Sequence, residues 1–127
     1  MQLIENIDPG VNVIIAVDNS SITLNEDVLL QTCIINNNCL LTDLSLTSLQ
    51  GLEPVHIEHL LSTDPELIIL GSGVQHIFPD VEILDPIATQ NIGFEVMNNK
   101  SAARTYNILV AEGRKVACLL VIHTQQP

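Results

Sequence analysis

The residues best suited to chemistry lie in the C-terminal half. Gly71, Ser72, Gly73 and His76 form one group, and Ser101, Arg104 and Asn107 form another. Gly71-Ser72-Gly73 follows the apolar run Leu67-Ile68-Ile69-Leu70, and open α/β sheets collect ligands at the carboxyl ends of their strands. Glycines let a bound group approach the backbone closely, and a serine hydroxyl can donate a hydrogen bond to an anion. Ser101, Arg104 and Asn107 recur every third residue and so fall on one side of a helix. A cation in the first turns of a helix opposes the helix dipole unless a bound anion or an acidic side chain offsets it. The amides of residues 71–73 and those at the start of a helix near Asn99 are therefore expected to face one crevice, with Arg104 beside it. His76 is the histidine placed to act there as an acid or base. The plainer alternative is a tight turn at the glycines and an internal ion pair for Arg104, since the chain carries 15 acids.

No catalytic set surrounds these residues. His76 stands where the dinucleotide fingerprint needs its third glycine, and there is no Gly-Lys-Ser/Thr loop or nucleophile elbow. Tyr106 reads as a core residue with its hydroxyl at the surface, because only a special site brings a phenol near neutral pH. His56 and His59 are three apart on a helix but lack an acid or cysteine at zinc-site spacing, so they read as exposed polar positions. Cys33, Cys39 and Cys118 are odd in number and without a CxxC pair. They read as ordinary buried, reduced thiols, and no metal or cofactor is expected.

Charge narrows the partners. The formal net charge is −11, and the four basic residues, Lys100, Arg104, Arg114 and Lys115, all fall in the last third of the chain. Nucleic-acid binders gain affinity through clustered Lys and Arg, so nucleic acid is excluded as a partner, and anionic membrane surfaces are disfavoured on the same ground. No apolar stretch approaches the ~20 residues of a membrane span. Residues 1–10 have neither the basic start and apolar block of a secretory signal nor the arginines of a transit peptide, which makes the cytoplasm the expected location.

The elements that must hold these residues follow from periodicity. Residues 1–10 read as a flexible arm and 11–127 as one α/β domain. Hydrophobic residues make up 46% and aromatic residues 2% of the chain, so the core must be aliphatic. Strands are predicted over 11–17, 22–24 and 28–35. The Asn36-Asn37-Asn38 triplet is predicted to reverse the chain in left-handed conformations. A strand over 39–44 would then return with Ile35 facing Cys39 and Cys33 facing Leu41. A helix opens at Pro54, and the unbroken apolar run 67–70 is a strand buried on both faces. Residues 80–91 are weakly helical, with Pro86 opening a short helix capped by Asp85. After a strand over 94–97, Asn98 or Asn99 caps a helix with the stripe Ala102, Ala103, Tyr106, Leu109 and Val110, and Gly113 ends it. Residues 115–122 form the last strand. Helices on a mixed central sheet with additional N-terminal β-hairpins are the expected fold, an α/β arrangement of three layers.

Four segments also carry a resemblance. Leu70-Gly71-Ser72-Gly73, Asn91-Ile92-Gly93-Phe94-Glu95-Val96, the block Ala102-Ala103-Arg104-Thr105-Tyr106-Asn107-Ile108-Leu109, and Glu112-Gly113-Arg114 resemble the Mth-like domain family, from about residue 20 to residue 122. The resemblance implies three layers around a mixed sheet and no established enzymatic activity. The family pattern reads Asp-Thr, two variable residues, Ala-Cys, one variable residue, Thr, an aromatic residue and Asn. Here Asn98-Asn99 stand in place of Asp-Thr and Ala103 in place of the cysteine, so no role for that carboxylate or thiol carries over.

Two functions follow as expectations. The first is a non-enzymatic protein-interaction module, an assembly or accessory factor, which requires an exposed apolar patch or an open strand edge. The alternative is a binder of a small anionic metabolite, or a minor enzyme, using the crevice between residues 71–76 and 101–107.

Overall fold

The computed structural model describes residues 10–123, so the predicted arm at 1–10 lies outside the described residues except for Gly10. Among the described residues eight strands form two sheets. β1 (Ile14–Val17), β2 (Ile22–Leu24) and β3 (Asp27–Leu29) make a small antiparallel sheet in the order β1-β2-β3. β4 (Cys33–Ile35), β5 (Leu40–Leu41), β6 (Leu67–Gly71), β7 (Gly93–Met97) and β8 (Val116–Leu120) make a mixed sheet in the order β5-β4-β8-β6-β7. β6 runs parallel to both β7 and β8, whereas β4 is antiparallel to β8 and to β5.

The continuous apolar runs of β6 and β8 occupy the centre of the larger sheet, as strands covered on both faces must. Ile68, Leu70, Ala117, Leu119 and Val121 point to one side, where helix α1 (Pro54–Ser62) and helix α2 (Asp85–Thr89) contribute Ile57, Leu60 and Ile87. Ile69, Val116, Cys118 and Leu120 point to the other side. There they meet Ala102, Ala103 and Tyr106 of helix α3 (Asn99–Ala111) together with Ile14, Ile22 and Leu24 of the small sheet. The three layers and mixed sheet predicted from the sequence are those observed.

Local chemistry explains the departures. The predicted strand 28–35 is two strands in different sheets, because Leu30 and Gln31 lie exposed between them and Thr32 turns inward. The Thr32 hydroxyl accepts from the Ile122 amide at 2.9 Å, tying the crossing to the end of β8. In the β4–β5 hairpin Ile35 pairs with Leu40 and Ile34 with Leu41, a register different from the predicted one. The cause is Asn36, whose side-chain oxygen accepts from the amides of Asn38 and Cys39 and lengthens the loop, while none of the three asparagines has positive φ. The returning strand is only two residues long, since Asp43 and Ser45 enter the left-handed region at φ 59° and 54° and turn the chain away. Asp80 caps a 3-10 turn at Val81–Leu84, and Leu84 rather than Asp85 occupies the cap position of α2.

Candidate functional site

The carboxyl ends of β6 and β7 lie side by side, and the chain leaves them toward opposite faces of the sheet, through α2 and α3 respectively. A ligand crevice would normally open at such a point. Here the two segments are bonded to each other. Asn98 caps α3 by accepting from the Ser101 amide, as the sequence predicts. The Asn99 amide donates to the Gly73 carbonyl at 2.8 Å, and the buried Asn99 side chain accepts from the Gly73 amide at 2.9 Å and donates to the Val121 carbonyl at 2.8 Å. The Ser72 amide donates to the Met97 carbonyl, and its buried hydroxyl donates to the carbonyls of Gln75 and Met97. The amides of Ser72, Gly73 and Asn99 are thus engaged in holding the junction closed, and that of Ser101 in capping α3.

This junction explains its glycines. A Cβ on Gly71 would stand 2.5 Å from the Asn99 side-chain oxygen and 3.0 Å from the Leu119 carbonyl oxygen. Gly73 adopts φ +92°, a conformation that residues with side chains rarely take.

Arg104 lies elsewhere. Gly73 lines a hollow of about 160 Å³ with Val17, Asp18, Asn19, Asn98 and Lys100. Arg104 lines a shallower hollow of about 390 Å³ between β1 and α3, with Lys100, Ala103 and Asn107. Val17 and Lys100 border both. Neither Lys100 nor Arg104 forms an ion pair among the described residues, where the single salt bridge joins Arg114 to Glu66. Arg114 also holds the Glu66 carboxyl below its ordinary pKa. The expected convergence of Ser101, Arg104 and Asn107 is incomplete, because the Asn107 amide is spent on the backbone of Ile14, donating to its carbonyl at 2.7 Å and accepting from its amide at 3.0 Å. His76 is exposed at the other side of the junction, donating from Nε2 to the Val96 carbonyl at 3.1 Å.

Other sequence readings need correction. The Tyr106 hydroxyl is not at the surface: the residue is fully buried and donates to the carbonyls of Asn12 at 2.9 Å and Asn36 at 3.2 Å. Burial pushes its pKa upward, which removes it further from proton transfer. His56 is buried rather than exposed; its Nδ1 accepts from the Glu53 amide and its Nε2 donates to the Leu44 carbonyl, fixing the neutral tautomer. All three cysteines are free, with Cys33 and Cys118 buried and Cys39 exposed. Burial raises the Cys33 thiol to about 12 and also raises Cys118.

One feature of the surface has no clear signal in the sequence. β7 is an edge strand, and the segment after β6 wraps beside it. Phe78, Pro79, Val81, Leu84, Phe94, Glu95 and Val96 line a largely apolar hollow of about 480 Å³ along that edge. Val74, Phe78 and Val81 are 59%, 64% and 76% exposed. The Met97 carbonyl turns inward to Ser72 and the Val96 carbonyl outward to His76. Because backbone groups alternate sides along a parallel strand, the amides and carbonyls of Phe94 and Val96 face outward, and only the Val96 carbonyl is engaged by a described residue.

Residues 14–121 match the family described as proteins of unknown function DUF498/DUF598. The chain belongs to this DUF498/DUF598 family. A protein of Xanthomonas campestris with a solved structure is 33% identical and superposes with a TM-score of 0.83 over 100% of this chain and 96% of that one. A Mth938-like domain from Bordetella pertussis shares the fold, with a TM-score of 0.82, 20% identity, and coverage of 99% of this chain and 95% of that one. The chain thus has the fold of that Mth938-like domain. A Francisella tularensis relative described as a 13 kDa major membrane protein is 33% identical over 76 residues, which is 60% of this chain and 62% of that protein. The match thus spans less than two thirds of that relative. Among the described residues of this DUF498/DUF598 chain, no helix is long and apolar enough to cross a membrane.

Proposed function

We propose that this chain is a non-enzymatic protein-interaction module of the assembly or accessory kind, and that it meets its partner along the outer edge of β7. The observation that carries the reading is the open backbone edge at Phe94 and Val96, flanked by the exposed Phe78 and Val81. An edge with unpaired amides and carbonyls is a template for another strand, and a bordering apolar hollow supplies side-chain pockets. The exposed free thiol of Cys39 supports a reducing compartment such as the cytoplasm. The test is site-specific photo-crosslinking in cells, with the crosslinker at position 78 or, as a control, at the similarly exposed Ile108 of α3. A discrete adduct from position 78 alone is expected. Adducts from neither position, or equally from both, would refute the assignment.

A second reading rests on Lys100 and Arg104, which border a hollow without an acidic partner among the described residues. A small phosphate or carboxylate bound there would lose about 1 kcal/mol or more of affinity in Arg104→Ala, the size of a charge-assisted hydrogen bond. Calorimetry with inorganic phosphate at low salt reads this directly, and unchanged affinity in the variant ends the idea.

A further inference from the structure

We infer that the segment received by the β7 edge is basic: an extended stretch in which Lys or Arg alternates with apolar residues. The inference rests on the interaction reading above and adds the chemistry of the partner.

Three observations converge on it. Phe94 and Val96 turn their side chains to the face covered by α1 and α2, where they meet the apolar hollow with Phe78, Val81 and Leu84. A strand added there places every second side chain in that hollow. The side chains between must lie on the other face, beside the exposed Glu95. Cross-strand neighbours of opposite charge stabilise a pairing and like charges oppose it. The exposed acids Asp80, Glu82 and Asp85 are chain neighbours of the lining residues Pro79, Val81 and Leu84, and no Lys or Arg occurs anywhere before Lys100.

The same charges argue against other occupants. A second copy pairing through β7 in antiparallel fashion about its centre would set Glu95 against Glu95. It would also bring together two chains of net charge −11. An anionic lipid surface would meet an acidic rim. His76 blocks one outward carbonyl, that of Val96, which leaves the Phe94 amide and carbonyl and the Val96 amide for the incoming strand. Edge strands are commonly protected by such charges and caps against pairing with their own kind, and a basic strand is the partner this protection does not repel.

The test uses two end-blocked heptapeptides, Val-Lys-Val-Lys-Val-Lys-Val and its counterpart with Glu in place of Lys, titrated into the 15N-labelled full chain. The basic peptide is expected to shift the amides of Phe94, Glu95 and Val96 and those of residues 74–81. It should bind at least about ten-fold more tightly than the acidic peptide. The exposed substitution Glu95→Lys should reduce that preference strongly and Glu95→Gln by less, with an otherwise unchanged spectrum confirming the fold. Equal binding of both peptides, shifts confined to other surfaces, or co-sedimentation of the free protein with phosphatidylcholine–phosphatidylglycerol vesicles that broadens the same β7 amides would overturn the inference. An adduct from position 78 to a second copy or to an acidic segment would overturn the basic assignment while leaving the interaction reading in place. The absence of any adduct at position 78 removes that reading itself.

Discussion

Replacing Tyr106 with alanine is expected to lower the free energy of unfolding by about 3–5 kcal/mol, as for other large buried aromatic side chains. Tyr106 is the one aromatic side chain in a core otherwise built of aliphatic residues and cysteine. Its ring sits between α3 and the sheet, and its hydroxyl reaches the carbonyls of Asn12 and Asn36. It therefore joins three parts of the chain: the approach to β1, the β4–β5 loop, and α3. Tyr106→Phe keeps the ring and removes only the donor, so about 1 kcal/mol should be lost. Urea denaturation of the two variants separates packing from hydrogen bonding. A loss below about 1 kcal/mol for the alanine variant would contradict the role given to this residue.

The second large effect is expected at Asn99. Alanine there leaves the Gly73 amide and the Val121 carbonyl without their partners in a buried junction. Each abandoned group costs about 1–3 kcal/mol, so a total of roughly 2–4 kcal/mol is expected after partial relaxation. The effect should couple to Gly71, because a methyl on Gly71 would collide first with the Asn99 side-chain oxygen. In the Asn99→Ala background, Gly71→Ala should cost less than it does alone, although the Leu119 carbonyl still crowds it. Strict additivity of the two substitutions in chemical denaturation would show that the junction is not packed as described.

Much of this fold was legible because its strongest signals are local. The apolar runs at 67–70 and 116–122, the cap at Asn98 and the stop at Gly113 all correspond to observed element positions. The misreadings share a different cause. Asn36, Asn99, Asn107, His56 and Thr32 each make hydrogen bonds to backbone atoms, and most of these bonds cross long stretches of sequence. Residue type alone does not reveal whether such a side chain faces a ligand or another segment. The Gly71-Ser72-Gly73 signal identified a close approach correctly, but the group approaching is the Asn99 carboxamide. The β7 edge was hidden for a further reason. Phe78 lies in an irregular segment and Val81 opens a single 3-10 turn, where no periodicity distinguishes an exposed apolar residue from a buried one.

The most direct test of the central claim is amide hydrogen exchange along β7. In the free protein, the account predicts slow exchange at Glu95 and Met97, whose amides face β6, and exchange as fast as in a loop at Phe94 and Val96, whose amides face outward. On binding the basic heptapeptide, Phe94 and Val96 should become protected while Glu95 and Met97 change little. Phe94 and Val96 amides as strongly protected in the free protein as those of Glu95 and Met97 would mean that the edge is already covered, and the interaction surface proposed here would not exist.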